Sequence, residues 1–198
     1  MWLAELFFKS GRARREFEIH KLALAQGVST AVPVGWAERA GPLPLMRRYY
    51  FYTRYLEGAE RFPAFWLRNP RTTRIPAAIA EALHGLYLAG IRHHDLNLNN
   101  LMVLEDRVYL IDFDRATRCR QEPERFLAAC LARMVRSSRK LALPVRKAAF
   151  FRLLSRASRL FGADPRAVLD KIPRRLFQKR LYHDWLWKIF GGHRRIGA

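Results

Sequence analysis

The chain has few cysteines and no long apolar run. Its 198 residues include only Cys119 and Cys130, with no CxxC pair and no His/Cys spacing typical of zinc, so neither a disulfide framework nor structural zinc is expected. No apolar stretch reaches the roughly 18 residues that cross a bilayer, and the N-terminus lacks the features of a signal peptide. We therefore expect a cytoplasmic protein whose contact with a membrane would be peripheral.

Acidic residues are also scarce: 17 Asp and Glu stand against 37 Lys and Arg, a formal net charge of +20. The excess is concentrated in residues 133–198, which contain eighteen Lys or Arg and three Asp. Such a field attracts nucleotide phosphates, nucleic acid or an anionic membrane surface. No nucleic-acid-binding motif accompanies it, so no specific nucleic-acid partner is expected. The alternative, that the segment is a solvated helical face over apolar surface, stays open.

Apolar residues make up half of the chain and aromatic residues 13%, which is enough for one packed domain. The first third predicts a strand at Trp2–Phe8, a helix over 15–26 closed by Gly27, and a hairpin with strands at 32–36 and 46–55. This order predicts a small β-rich region at the start of the chain.

The remaining two thirds are helical in pattern except for one hairpin. Apolar spacing predicts a helix over 76–89, and Gly90 suits the position just beyond its end. Two short apolar runs, 101–104 and 108–111, predict a tight hairpin. Further helices are predicted near 125–142, 145–161, 165–171 and 174–190.

Three polar side chains around that hairpin have the spacing that phosphoryl transfer requires. Asp95 can accept the proton of a hydroxyl, Asn100 can ligate a hard cation without adding charge, and Asp112 can supply an anionic ligand. Short strings of this kind are, taken singly, more often a solvated loop and a hairpin end. Their joint spacing, with a helix before and a hairpin between, favours the catalytic interpretation.

The segment Gly90-Ile-Arg-His-His-Asp95-Leu-Asn-Leu-Asn-Asn100, followed by Asp112-Phe-Asp114, resembles the catalytic and metal-binding loops of the protein-kinase-like superfamily. The resemblance implies an α+β kinase-like fold, with a reduced β-rich N-terminal lobe over 1–58 and a mainly helical C-terminal lobe over 59–198. His93 matches a histidine that supports the catalytic loop. No Ala-Pro-Glu anchor follows Asp114, which disfavours a protein substrate.

Asn97 and Asp114 narrow the resemblance, because protein kinases carry a lysine and a glycine at these positions. The pattern is similar to the lipopolysaccharide kinase family, especially its 3-deoxy-D-manno-octulosonic acid (Kdo) kinases. That likeness implies phosphate transfer from ATP, with Mg²⁺, to a sugar hydroxyl of the lipopolysaccharide inner core at the cytoplasmic face of the inner membrane. Asp114 becomes a further candidate metal ligand and Asn97 a support of the catalytic loop.

The ATP-gripping residues are harder to place. Aligning Leu3–Gly11 with the family's basic strand puts Glu5 where a cation is usual, so Lys9 on the same strand face is the substitute candidate. Glu16 would be its acidic partner, or else a plain first-turn acid favoured by the helix dipole.

Two alternatives remain at this level. An aminoglycoside- or choline-type phosphotransferase shares Asp95, Asn100 and Asp112. An inactive pseudokinase-like scaffold is motivated by Glu5 and by the absence of a glycine-rich phosphate loop. The sequence leaves the oligomeric state and the choice of sugar hydroxyl open.

Overall fold

The computed structural model describes residues 11–40, 47–144 and 147–172, and its elements mix helix with small antiparallel sheets. The helices are α1 Arg12–Ala25, α2 Phe62–Arg68, α3 Arg74–Leu88, α4 Pro123–Lys140, α5 Lys147–Phe161 and α6 Pro165–Lys171. The strands are β1 Pro33–Ala40, β2 Arg47–Thr53, β3 Glu60–Arg61, β4 Ile91–Arg92, β5 Leu101–Leu104, β6 Arg107–Leu110 and β7 Thr117–Arg118. The predicted α+β class is confirmed.

Helix α1 and the β1–β2 hairpin form the first part of the fold. The helix begins three residues before the predicted start, because Gly11 takes the left-handed conformation (φ 101°) and the chain is helical from Arg12 onward. Strands β1 and β2 pair antiparallel, with Trp36 opposite Phe51. The strand predicted at Trp2–Phe8 and the helix predicted at 174–190 lie outside the described residues.

The predicted hairpin at 101–111 is present as β5 and β6, with Leu101 opposite Leu110. Its turn is tight because Glu105 adopts a left-handed conformation (φ 54°). Strand β3 pairs with the other edge of β5. An earlier segment reaches this sheet too, since the Leu110 amide donates to the Ser29 carbonyl at 2.9 Å. The sheet thus ties residues close to α1 to the end of the strand that precedes Asp112.

The helical part surrounds one apolar core. Helix α3 has the predicted apolar stripe, with Ile75, Leu83 and Leu86 fully buried, and it packs against α5, while α4 packs against α6. Sequence patterns did not predict α2, whose Trp66 is buried and donates its indole N–H to the Pro144 carbonyl at 2.8 Å. An apolar cavity of about 70 Å³ lies between α2, α3, α4 and α5.

In the described segments, none of the helices combines the length and the apolar character that crossing a membrane would demand. The lobe boundary at residue 58 stays a prediction.

Candidate active site

The β5–β6 hairpin brings Asn100 and Asp112 together at its open end. The Ile111 amide donates to the Asn100 carbonyl at 3.0 Å, which closes the ladder directly before Asp112. The Asn100 side-chain Nδ2 lies 3.3 Å from Asp112 Oδ2 and 2.8 Å from the Asp95 carbonyl oxygen. Three of the residues predicted to carry the chemistry therefore meet in one cluster.

Asp95 is exposed and its carboxylate is oriented by a neighbour in the same loop. Asn97 Nδ2 lies 3.1 Å from Asp95 Oδ1, and Asn97 Oδ1 accepts the Asn99 amide at 2.9 Å. Both ends of the Asn97 amide are thus engaged, which fixes its rotamer and, through it, one oxygen of Asp95. The exposed carboxylate can meet a substrate hydroxyl from solvent.

Asp112 has a left-handed backbone, with φ of 64°. This conformation is strained for a residue with a side chain, although Asp tolerates it better than most, and such strain is concentrated at functional sites. In the described part of the chain, no three His, Cys, Asp or Glu residues converge on a metal-sized space. Two oxygen ligands, from Asn100 and Asp112, fit Mg²⁺, which is commonly held by one or two side chains together with substrate phosphates.

Glu16 projects from α1 toward this cluster. Burial is the largest cause that raises its pKa to about 7, followed by the nearby charges of Asp114 and Asp112, while the Phe113 amide donates to the carboxylate and opposes the shift. The tertiary structure therefore places Glu16 at the metal-binding loop, where a plain first-turn acid would not need to be. Lys9 and Glu5 lie outside the described residues, so their assignment stays a prediction.

Asp114 is held by Arg12 at the start of α1. The guanidinium Nε and Nη2 face the two carboxylate oxygens in a fork-to-fork pair. This contact ties the loop after Asp112 to α1. The candidate metal role of Asp114 stays a prediction, and the described geometry gives this carboxylate a cationic partner already.

Four aromatic rings stack behind the polar cluster. Buried Phe113 lies between His93 at 5.1 Å and His20 at 4.6 Å, and His20 continues to Phe51 at 5.2 Å. His93 Nε2 is 3.1 Å from the Ile111 carbonyl and therefore donates to it. This matches the supporting role expected of His93. Burial, the largest cause, lowers the pKa values of both histidines, that of His20 to about 4.

Sequence reasoning missed His20, and its only sequence signal is an apolar-face position on α1. Its Nε2 lies 2.5 Å from Thr30 Oγ1, and that hydroxyl in turn donates to the Leu110 carbonyl at 2.6 Å. Because the hydroxyl proton goes to the carbonyl, His20 is the donor in the first bond. The bridge links α1 to the strand that ends two residues before Asp112.

Helix α4 supports the catalytic loop from the other side, and this too was missed. Arg133 Nε donates to the His94 carbonyl at 2.9 Å, and Ser137 Oγ accepts the Leu98 amide at 2.9 Å. The His94 ring pairs with Thr117 Oγ1 at 2.8 Å. An amphipathic helix with Arg and Ser on its inner face gives no sign in the sequence that it binds a loop 39 residues earlier.

A family model supplies the identity. The model of the lipopolysaccharide kinase (Kdo/WaaP) family matches residues 3–156, more than three quarters of the chain. The chain belongs to the Kdo/WaaP lipopolysaccharide kinase family. No curated protein sequence matches it. Among solved structures, it is similar to WaaP in complex with acyl carrier protein, with a TM-score of 0.57 and 20% identity over 86% of this chain and 76% of that one.

Membership confirms the resemblance on which Asn97 and Asp114 bear, and the structural likeness confirms a kinase-like fold. The family is one of lipopolysaccharide kinases, so the reaction class is phosphotransfer to a sugar of the lipopolysaccharide core. The individual roles of the site residues stay predictions.

Proposed function

We propose that this Kdo/WaaP family member transfers the γ-phosphate of ATP, with Mg²⁺, to a hydroxyl of Kdo or heptose in the lipopolysaccharide inner core. The observation that carries the proposal is the single cluster formed by Asp95, Asn100 and Asp112, joined through the Asn100 side chain. An exposed carboxylate beside an amide and a second carboxylate is the arrangement that phosphoryl transfer to an alcohol requires.

In the proposed reaction Asp95 receives the proton of the acceptor hydroxyl. The hydroxyl oxygen forms a bond to the γ-phosphorus, the bond from that phosphorus to the bridging oxygen breaks, and ADP leaves with the electron pair. Asn97 holds Asp95 Oδ1, so the carboxylate is oriented before the substrate arrives. Such positioning avoids reorganisation during the reaction.

Asn100 and Asp112 are the proposed ligands for Mg²⁺ bound with ATP. The cation would neutralise charge on the phosphates, which is its usual contribution to this reaction class. Asp112 supplies an anionic oxygen and Asn100 a neutral one. Glu16, already at the loop, is proposed to pair with Lys9 and so to set the position of that cation against the phosphates.

The test of reaction and substrate is incubation with γ-labelled ATP, Mg²⁺ and lipid A bearing inner-core sugars, followed by mass analysis of the lipid. The expected product is heavier by one phosphate. Asp95→Asn is expected to lower turnover by about 10³-fold or more, while stabilisation by Mg-ATP is retained, because Asp95 acts on the acceptor. A variant that retains near-normal turnover would reject the role of Asp95.

Asp106→Asn is the matched control, since it makes the same chemical change at the closed end of the same hairpin. Asp106 lies in the exposed turn, paired with Arg74, and is expected to leave turnover unchanged. Asp112→Asn should instead abolish the thermal stabilisation by Mg-ATP, which at 100 times the dissociation constant is about 2.7 kcal/mol.

The alternatives have distinct outcomes in the same assay. Phosphate appearing on an aminoglycoside or choline, and not on the lipid, would assign the chain to the small-molecule phosphotransferases. Nucleotide binding without any transfer would assign it to the scaffolds. The proposed partners are the glycolipid acceptor, an anionic membrane surface and, from the likeness to WaaP, an acyl carrier protein.

A further inference from the structure

A cluster of arginines adjoins the catalytic loop and has no part in the mechanism above. It consists of Arg92 on β4 together with Arg133 and Arg136 on α4, which are three residues apart and therefore neighbours on the helix surface. We call these three residues the arginine cluster. In the described segments none of the three forms an ion pair with an acid.

Arg133 is held rigidly beside Asp95. Its Nε donates to the His94 carbonyl at 2.9 Å and its Nη1 to the Ala129 carbonyl at 3.1 Å. Both acceptors are neutral, so the positive charge is positioned without being cancelled. The remaining nitrogen, Nη2, makes no hydrogen bond to the described residues. A guanidinium fixed in this way presents a preformed donor to an oxyanion.

Arg92 belongs to the same face. In the β4–β7 ladder it lies opposite Thr117, whose hydroxyl is bonded to His94, two residues further along from Arg92. The Nε of Arg92 is buried and has no hydrogen-bond partner in the described part of the chain. A buried donor of this kind costs free energy unless a ligand or water satisfies it.

The cluster is electrostatically uncompensated. Burial, the largest cause, lowers the pKa of Arg133, and the charges of Arg92 and Arg136 lower it further, whereas Cys130 and Asp95 act in the opposite direction. Asp95 is the one carboxylate that faces Arg133, and it makes no ion pair within the described residues. Three like charges beside one loop are unfavourable by themselves, and an anion placed among them would remove that penalty.

From this arrangement we infer that the arginine cluster binds a phosphate or carboxylate group carried by the acceptor, and so sets which hydroxyl reaches Asp95. The inference rests on the proposed function, because it concerns the acceptor of that reaction. A guanidinium fork matches both oxyanions, and an acidic or phosphorylated sugar supplies them. An uncharged sugar would lack this contact and would bind weakly.

The test compares two variants that lose the same charge. Arg92→Gln/Arg136→Gln removes the cluster's two unpaired side chains, and Arg139→Gln/Lys140→Gln removes two exposed charges from the last turn of α4. Each is titrated with inorganic phosphate, free Kdo and mannose by ligand-observed NMR, with Mg²⁺ and a non-hydrolysable ATP analogue present to occupy the nucleotide site. Thermal melting checks that both are folded, and Arg136→Gln alone serves if the double variant is not.

The control is expected to bind an anion and not mannose, and the cluster variant to bind it at least about tenfold more weakly. Preference for phosphate or for Kdo identifies which group is recognised. Equal binding by the two variants, or no anion binding by the unmodified protein, overturns the inference. Because these titrations need no turnover, absence of phosphate transfer would reject the proposed function while leaving the anion site to be judged separately.

Discussion

At the scale of single residues, the pair between Arg12 and Asp114 connects α1 to the metal-binding loop. Arg12 is the first residue of α1, and no acid occupies that first turn. A cation at the positive end of a helix dipole is unfavourable, so its retention there calls for a compensating partner. Asp114, with a side chain only 16% exposed, provides it. The pair therefore couples the orientation of α1, and hence of Glu16, to the backbone that follows Asp112.

A double-mutant cycle of Arg12→Gln and Asp114→Asn tests this coupling. The half-exposed position of Arg12 limits the expected interaction to about 0.5–1 kcal/mol, in the range of exposed pairs with good geometry. The measurement is urea unfolding of the four proteins. A cycle with the exposed Arg14→Gln in place of Arg12→Gln is the control and should give additive effects. Additivity for Arg12 as well would show that the pair does not join the two elements.

At the scale of elements, the stack of His20, Phe113 and His93 fixes α1 against the β5–β6 hairpin. Both ring contacts to Phe113 come from buried histidines, and the Thr30 bridge adds a polar link from His20 to Leu110. Neutral imidazoles satisfy this packing, whereas a charged ring would be desolvated without a counter-ion. The stack makes the position of the catalytic hairpin sensitive to acid.

The sign follows from the direction of the shift. His20 has its pKa lowered from 6.5 to about 4 in the folded state, so below pH 6.5 the unfolded chain binds more protons than the folded one. Its contribution to stability is present above pH 6.5 and is lost as the pH falls through about 4. His20→Gln keeps a donor for Thr30 but cannot titrate.

Denaturant unfolding between pH 7 and pH 4 is the measurement for this prediction. The free energy of unfolding should fall less steeply with acidification in His20→Gln than in the unmodified protein. An unchanged difference between the two proteins over the whole range would show that His20 does not stay neutral in the fold.

At the scale of the whole molecule, net charge is the dominant property. A formal charge of +20 produces a long-range attraction to anionic surfaces that is screened by salt, with a Debye length of about 8 Å at physiological ionic strength. A kinase acting on a glycolipid would gain from residence at such a surface. Each basic residue near an anionic leaflet contributes roughly 1 kcal/mol.

Co-sedimentation with vesicles tests the membrane part of the proposal. We expect binding to vesicles that contain phosphatidylglycerol, little binding to pure phosphatidylcholine vesicles, and a steep loss between 50 mM and 500 mM salt. Equal binding to both lipids would show that charge does not govern the contact. The salt series separates surface attraction from insertion of apolar side chains, which salt would not weaken.

Much of this protein was determined locally by its sequence. The hairpin at 101–111 follows from two apolar runs around a polar turn, and helix α3 from a 3.6-residue apolar stripe, because both patterns depend on neighbours a few residues apart. The cluster of Asp95, Asn100 and Asp112 could be predicted for the same reason, since a short hairpin joins its ends.

The tertiary structure decided what distant segments do to that cluster. Arg12 meets Asp114 across 102 positions, Arg133 reaches His94 across 39, and His20 meets Phe113 through a stack that no periodicity encodes. A buried histidine on α1 and an arginine on the inner face of α4 look, in sequence, like any residue of an amphipathic helix. Packing sets their partners, because the free energy of burial depends on which surfaces meet and not on order along the chain.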